Sequence, residues 1–173
     1  MMNTRVTKVA TALDIGYGQG DDVARLTVSV LRRHVDRPAE AATSVPSVYQ
    51  LHPEDRLVAL AALTLFATHL RPGIRAQDSR VSFAEACAAL GVNTARIESL
   101  VSAPDLTAAA RHARSIVNII SSGNGAFDYG TLATLLANLA RANSADSTPT
   151  QAAQTFIIDY AAAQRRAAKG TLA

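Results

Sequence analysis

The residues of this chain whose type best suits a chemical task are its arginines. The sequence has 15 arginines and only two lysines, Lys8 and Lys169, and its pI is about 9.4. A guanidinium group is a planar fork of donors that fits a phosphate, so this bias favours a polyanionic partner such as nucleic acid. A proteome rich in alanine and arginine would produce the same bias, so composition alone does not establish such a partner.

Several arginines fall on predicted helix exteriors or in loops. In the segment from Asp105 to Ser122, one face is formed by Arg111, Arg114, Ser115 and Asn118, and it carries no carboxylate. Binding of single strands without sequence choice needs a groove of cations that follows the phosphates. We expect one continuous track formed by the candidate nucleic-acid-binding residues Arg32, Arg33, Arg75, Arg80, Arg111, Arg114 and Arg141.

A glycine-rich motif near the start offers a different chemistry. The run Leu13–Gly20, LDIGYGQG, looks like the first loop of S-adenosylmethionine-dependent methyltransferases. In that fold the loop lies between a strand and the start of a helix, and an acidic residue follows about 20 residues later. No strand can be identified around this motif, so an S-adenosylmethionine binder is a minor alternative and a hinge is the simpler interpretation.

No group of residues assembles a catalytic or metal site. The four histidines, His34, His52, His69 and His112, lack the paired spacing of metal-binding motifs, so no metal site is expected. Cys87 lies on a predicted buried stripe and is expected to be inert packing. Since a lone cysteine excludes an internal disulfide, a reducing cytoplasm is the expected compartment. We expect no enzymatic activity, no cofactor and no metal.

The element that must position everything else is the run from Glu54 to Leu70, which is apolar on nearly every side. It is too short and too polar at its ends to span a bilayer, so it predicts a buried core helix. Alanine and leucine dominate the rest of the chain, and no segment alternates with a strand's period. The sequence therefore predicts an all-α helical bundle around a buried central helix.

The remaining segments supply apolar stripes for that core. Residues 1–20 are expected to be a flexible segment and residues 21–173 a single all-helical domain, with a candidate junction between two halves near 72–81. The helix after Asp21 is expected to bury Val23, Leu26, Val30 and Leu31. Ser82 and Glu85 have the spacing of a capping box, and Gly91 is placed to end that helix.

The order of these motifs resembles the CasB family, the small subunit of the type I-E CRISPR surveillance complex Cascade. The resemblance runs from about Leu31 to Tyr160 and includes LRR at 31–33, VYQL at 48–51, IRAQD at 74–78, ARI at 95–97 and FDY at 127–129. Members commonly have tryptophan where this chain has Tyr129, a second arginine where it has Ser115, and tryptophan near Asn138.

The resemblance implies a non-enzymatic subunit that sits as a pair of copies within a larger complex. Its partners would be the other Cascade subunits, a second copy of itself, the guide RNA and single-stranded DNA, and no membrane. By resemblance it would touch guide and target strands and help to hold the displaced strand of the R-loop. The alternative from another class is a helical adaptor that binds only proteins, with its arginines as ordinary surface.

Overall fold

The computed structural model of the protein describes residues 2–144 and 150–170. Within these ranges it consists of helices and contains no strand, only isolated bridges, which confirms the predicted all-α class. The α-helices are α1 Met2–Gln19, α2 Asp22–Arg33, α3 Pro53–His69, α4 Phe83–Ala89, α5 Thr94–Val101, α6 Leu106–Ser122, α7 Tyr129–Ser144 and α8 Thr150–Gly170. Two 3₁₀ helices, Pro38–Ser44 and Pro46–Gln50, connect α2 to α3.

Helix α3 is the centre of the fold, as its composition predicts. Every residue from Val58 to Ala67 is buried, and α1, α2, α6 and α7 pack around it. Pro53 begins the helix, and Glu54 and Asp55 in its first turn favour the positive end of its dipole. Among the described residues, no helix has both the length and the apolar character needed to cross a membrane.

The N-terminal segment differs from the flexible segment expected for residues 1–20. It forms α1, which buries Met2, Val6 and Ala10 and packs mainly on α7 and α2. Gly16 lies inside this helix, where α2 approaches closely. A Cβ at this position would come within 2.8 Å of the Ala24 Cβ, so only glycine fits without a shift. Since this segment is helical, the strand required by the methyltransferase interpretation is absent, and that alternative is wrong.

The face of α2 that meets the core also differs from the expected one. Ala24, Val28 and Leu31 are buried, whereas Val23 and Leu26 are 72% and 64% exposed. The two sets are neighbouring stripes of one helix, and the small side chain of Ala24 lets α1 pack close. The prediction that Val23 and Leu26 face inward is therefore wrong.

A buried polar network joins α1, the 76–78 segment and the start of α7. The Asp128 carboxylate accepts hydrogen bonds from the Thr7 hydroxyl at 2.6 Å, the Gln77 amide at 3.0 Å and the Gly130 N–H at 2.9 Å. The Gln77 side-chain oxygen in turn accepts from the Tyr129 N–H at 3.1 Å. The network ties the region near 72–81, expected as a candidate junction, into the core.

The predicted cap of α4 is present, and α8 closes this side of the bundle. Ser82 accepts from the Glu85 N–H while the Glu85 carboxylate accepts from the Ser82 N–H, which completes the capping box. Gly91, with φ +66°, follows the helix end. Helix α8 packs Phe156 and Tyr160 against this region, and the Phe156 ring stacks on Phe83 with centroids 5.7 Å apart.

Candidate nucleic-acid interface

At the C-terminal end of α3, the candidate residue Arg32 binds backbone carbonyls of the protein itself. Its Nε donates to the Ala67 carbonyl at 2.9 Å and its terminal nitrogen donates to the Leu70 carbonyl at 2.6 Å. The last carbonyls of a helix have no partner in the helix itself, and a cation there also favours the dipole. Arg32 therefore fixes α2 to the end of α3, with two of its five N–H donors bound to backbone carbonyls.

The face of α6 was expected to be free of acidic neighbours, and this is wrong for Arg114. Asp36, in the turn after α2, reaches across and pairs with the Arg114 guanidinium at 3.0 Å. The carboxylate comes from a distant part of the sequence, so the α6 pattern could not reveal it. Arg111, one turn earlier on the same face, is exposed and has no ion-pair partner in the described part of the chain.

Further arginines continue this surface in both directions. Arg96 of α5 donates to the Ser115 hydroxyl, which brings α5 next to the Arg111 face. In the other direction, Arg33 follows Arg32, and Arg71 follows the Leu70 carbonyl that Arg32 binds. Both Arg33 and Arg71 are exposed and unpaired with any acid within residues 2–144 and 150–170.

We call this set of arginines, carried by elements that contact one another, the basic track. It runs from the turn after α3, past the end of α2, to the outer sides of α6 and α5. Asp36 contacts it at Arg114, and Asp14 lies 3.9 Å from Arg75 at its other end. Of its six arginines, these two have a carboxylate within 4.0 Å in the part of the chain that the structure describes. Its members are Arg33, Arg71, Arg75, Arg96, Arg111 and Arg114.

Arg80 and Arg141 are not members of the track, because Arg80 is held in a two-pronged ion pair and Arg141 lies near the opposite end of α3. Arg80 forms a two-pronged pair with Asp78, with distances of 3.0 and 2.9 Å, and hydrogen bonding from Arg80 lowers the pKa of Asp78 to about 2. Arg141 pairs with Asp55 at 2.7 Å, near the start of α3. Since Asp55 and Leu70 lie at opposite ends of α3, about 22 Å apart, the seven candidate arginines do not form one continuous row.

The residues with other potential chemistry have structural roles. Burial raises the pKa of the Cys87 thiol far above its usual range, which agrees with inert packing. His69 is buried at the end of α3 with its Nδ1 2.8 Å from the Tyr129 hydroxyl. No group of three histidine, cysteine or acidic residues in the described ranges is arranged to hold a metal ion.

Two members of the track, Arg71 and Arg96, are absent from the candidate set predicted by the sequence. A helical projection of α5 would have found Arg96, because it lies away from the buried Ile97, Leu100 and Val101. Arg71 lies in the same basic connection as Arg75 and Arg80, but its place beside the end of α2 depends on how α2 packs against α3.

Comparisons with known proteins agree with the resemblance in the sequence. The crystal structure of CasB from Thermobifida fusca has the same fold, with a TM-score of 0.72 and 21% sequence identity, over 94% of this chain and 97% of that chain. A search of curated proteins finds no match. The family model of CRISPR-associated protein Cse2 matches residues 27–160, and membership indicates a subunit of a CRISPR Cascade complex. The chain therefore belongs to the CRISPR-associated Cse2 family.

Proposed function

We propose that this protein is a non-catalytic Cascade subunit that binds guide RNA, target and displaced single-stranded DNA and thereby stabilises the R-loop. The observation that carries the proposal is the basic track, in which exposed guanidinium groups outnumber the carboxylates that contact them. Such a surface suits contacts with phosphates, which position a strand without reading its sequence.

Modest contacts are sufficient for this role. The heteroduplex formed in an R-loop is about as stable as the duplex it replaces, so protein contacts with the backbone can decide the balance. Arg33, Arg71 and Arg111 extend from α2, the turn after α3 and α6 without acidic partners in the described part of the chain. They present charge without the cost of breaking an internal ion pair. Other Cascade subunits and a second copy of the chain complete the proposed set of partners.

Replacing Arg33 and Arg111 together with alanine is expected to weaken binding of a labelled single strand about tenfold, or on the order of 1.4 kcal/mol. The melting temperature should change little, because both side chains are exposed and lack internal partners among the described residues. The measurement is fluorescence anisotropy of the strand, followed by the lifetime of the R-loop in Cascade assembled with the variant.

The matched control is Arg165→Ala, which removes an exposed arginine from α8, a helix that carries no member of the track. It should leave strand affinity and R-loop lifetime close to those of the wild-type protein. If Arg165→Ala and the double variant weaken binding equally, the track has no special role and the proposal fails.

A helical adaptor that binds only proteins is the second candidate, because Val23 and Leu26 expose apolar surface on α2. The same titration separates the two functions. If the labelled single strand bound neither to the isolated protein nor to the subunit within Cascade, the result would favour the adaptor.

A further inference from the structure

A cavity lies at one end of the basic track, between the C-terminal part of α1 and the turn that follows α3. Its volume is about 300 Å³, at the lower end of the roughly 300–1,000 Å³ typical of small-molecule sites. Ile15 and Tyr17 line it from α1, and Ile74 lines it from the turn. The cavity therefore has the size for one small planar group and apolar walls to hold it.

The cavity is held open by a fixed contact between its two walls. The Asp14 carboxylate accepts from the Ala76 N–H at 3.3 Å and from the Gln77 N–H at 3.4 Å, so α1 is tied to the residues after the turn. Burial raises the pKa of Asp14. Gly73 sits in the turn with φ +76°, a conformation that glycine adopts without strain. These contacts join α1 to the residues after the turn in the folded protein.

The charges at the rim select the kind of ligand. Arg71 and Arg75 both line the cavity, while its carboxylate, Asp14, is 8% exposed and already accepts from the backbone. Two guanidinium groups oppose entry of a lysine or arginine from a partner protein and favour an anion. Apolar and aromatic walls beside an anion site suit a planar ring that carries a phosphate.

We propose that this cavity takes one unstacked nucleotide of a bound single strand, with the base between Tyr17 and the aliphatic wall and its phosphate on Arg71 and Arg75. The proposal rests on the proposed function, which brings a strand to the track. Stacking of a base on an aromatic ring tolerates all four bases, so the pocket would hold the strand's register without reading sequence.

In the test, deoxynucleoside monophosphates or ribose 5-phosphate are added to the full chain. Binding is measured by NMR from the shifts of the amide resonances of Gly18 and Gly73. These glycines line opposite walls of the cavity. The nucleotides are expected to shift both resonances and to bind at least roughly fivefold more tightly than ribose 5-phosphate, which lacks the base. Equal binding of ribose 5-phosphate would overturn the proposal, because the site would then recognise an anion only. Shifts caused only by N-acetyl-arginine amide would also overturn it, in favour of a protein partner.

A variant that fills the cavity provides an independent check. A Cβ at Gly18 would meet no atom within 4 Å, so Gly18→Leu can be accommodated and should reduce the space. It is expected to abolish the nucleotide response, whereas Gln19→Leu, the exposed neighbour outside the cavity, should preserve it. A nucleotide response that survives in Gly18→Leu would contradict the proposal.

A strand with abasic sites distinguishes this proposal from the function on which it rests. If the wild-type protein binds normal and fully abasic strands equally, the pocket proposal fails while binding along the track stands. If mononucleotides bind in the cavity and no strand binds, the cavity is a site for free nucleotides and the proposed function fails.

Discussion

Replacing Gly130 with alanine is expected to destabilise the protein by about 3 kcal/mol, because α1 leaves no room for a side chain there. A Cβ at Gly130 would lie 1.9 Å from the Asn3 side-chain oxygen and 2.7 Å from the Asn3 backbone oxygen. The backbone of α1 would have to move away from α7, which would also disturb the hydrogen bond between Thr7 and Asp128. The measurement is chemical unfolding of the variant and the wild-type protein.

The matched control is Gly18→Ala, the same change at a position in α1 with open space around it. Alanine is favoured over glycine inside a helix, so this variant is expected to be more stable by up to about 1 kcal/mol. Together the two variants test whether α1 is docked. If Gly130→Ala were as stable as the wild-type protein, the packing of α1 on α7 would be wrong.

Acidification from pH 6.5 to pH 4 is expected to remove about 3 kcal/mol of stability through His69. Burial is the main cause that lowers the pKa of His69 to about 4, from about 6.5 when the chain is unfolded. Between these values the unfolded chain binds a proton that the folded protein excludes, so stability falls as the pH falls. At about one pH unit above 6.5 and higher, both states are essentially neutral at this residue and the contribution is constant.

The control for the acid effect is His69→Gln, which retains a polar group opposite the Tyr129 hydroxyl but does not titrate. The variant is expected to be less stable at pH 7 and to lose less stability than the wild-type protein between pH 6.5 and pH 4. Unfolding curves at several pH values measure the difference. An identical acid response in both proteins would show that other groups, such as the carboxylates, cause it.

The parts of the fold that were predictable depend on local sequence. The Glu54–Leu70 run lacks a polar face, and only a buried position satisfies such a helix, so α3 could be placed without any partner. The capping box of Ser82 and Glu85 needs only residues three apart. The docking of α1 does not follow from local sequence, because it depends on Gly130 and Asp128, more than 100 residues away in sequence.

The sequence predicts which arginines are exposed, but it does not predict which residues lie next to them. Arginines on exposed helix faces follow from helical period, and Arg33 and Arg111 are exposed as expected. Their acidic neighbours do not follow from that period, since Asp36 reaches Arg114 and Asp55 reaches Arg141 across the fold. The helix-capping role of Arg32 likewise arises only when α2 lies against the end of α3.

The most direct test of the central claim is the salt dependence of single-strand binding by the wild-type protein and by the variant lacking Arg33 and Arg111. Each phosphate neutralised on a single strand contributes about 0.7 to the slope of log affinity against log salt concentration. If the track carries the strand, the wild-type slope should be steep and the double variant should lose about 1.4 from it. A flat wild-type response, or the same slope in both proteins, would contradict the account.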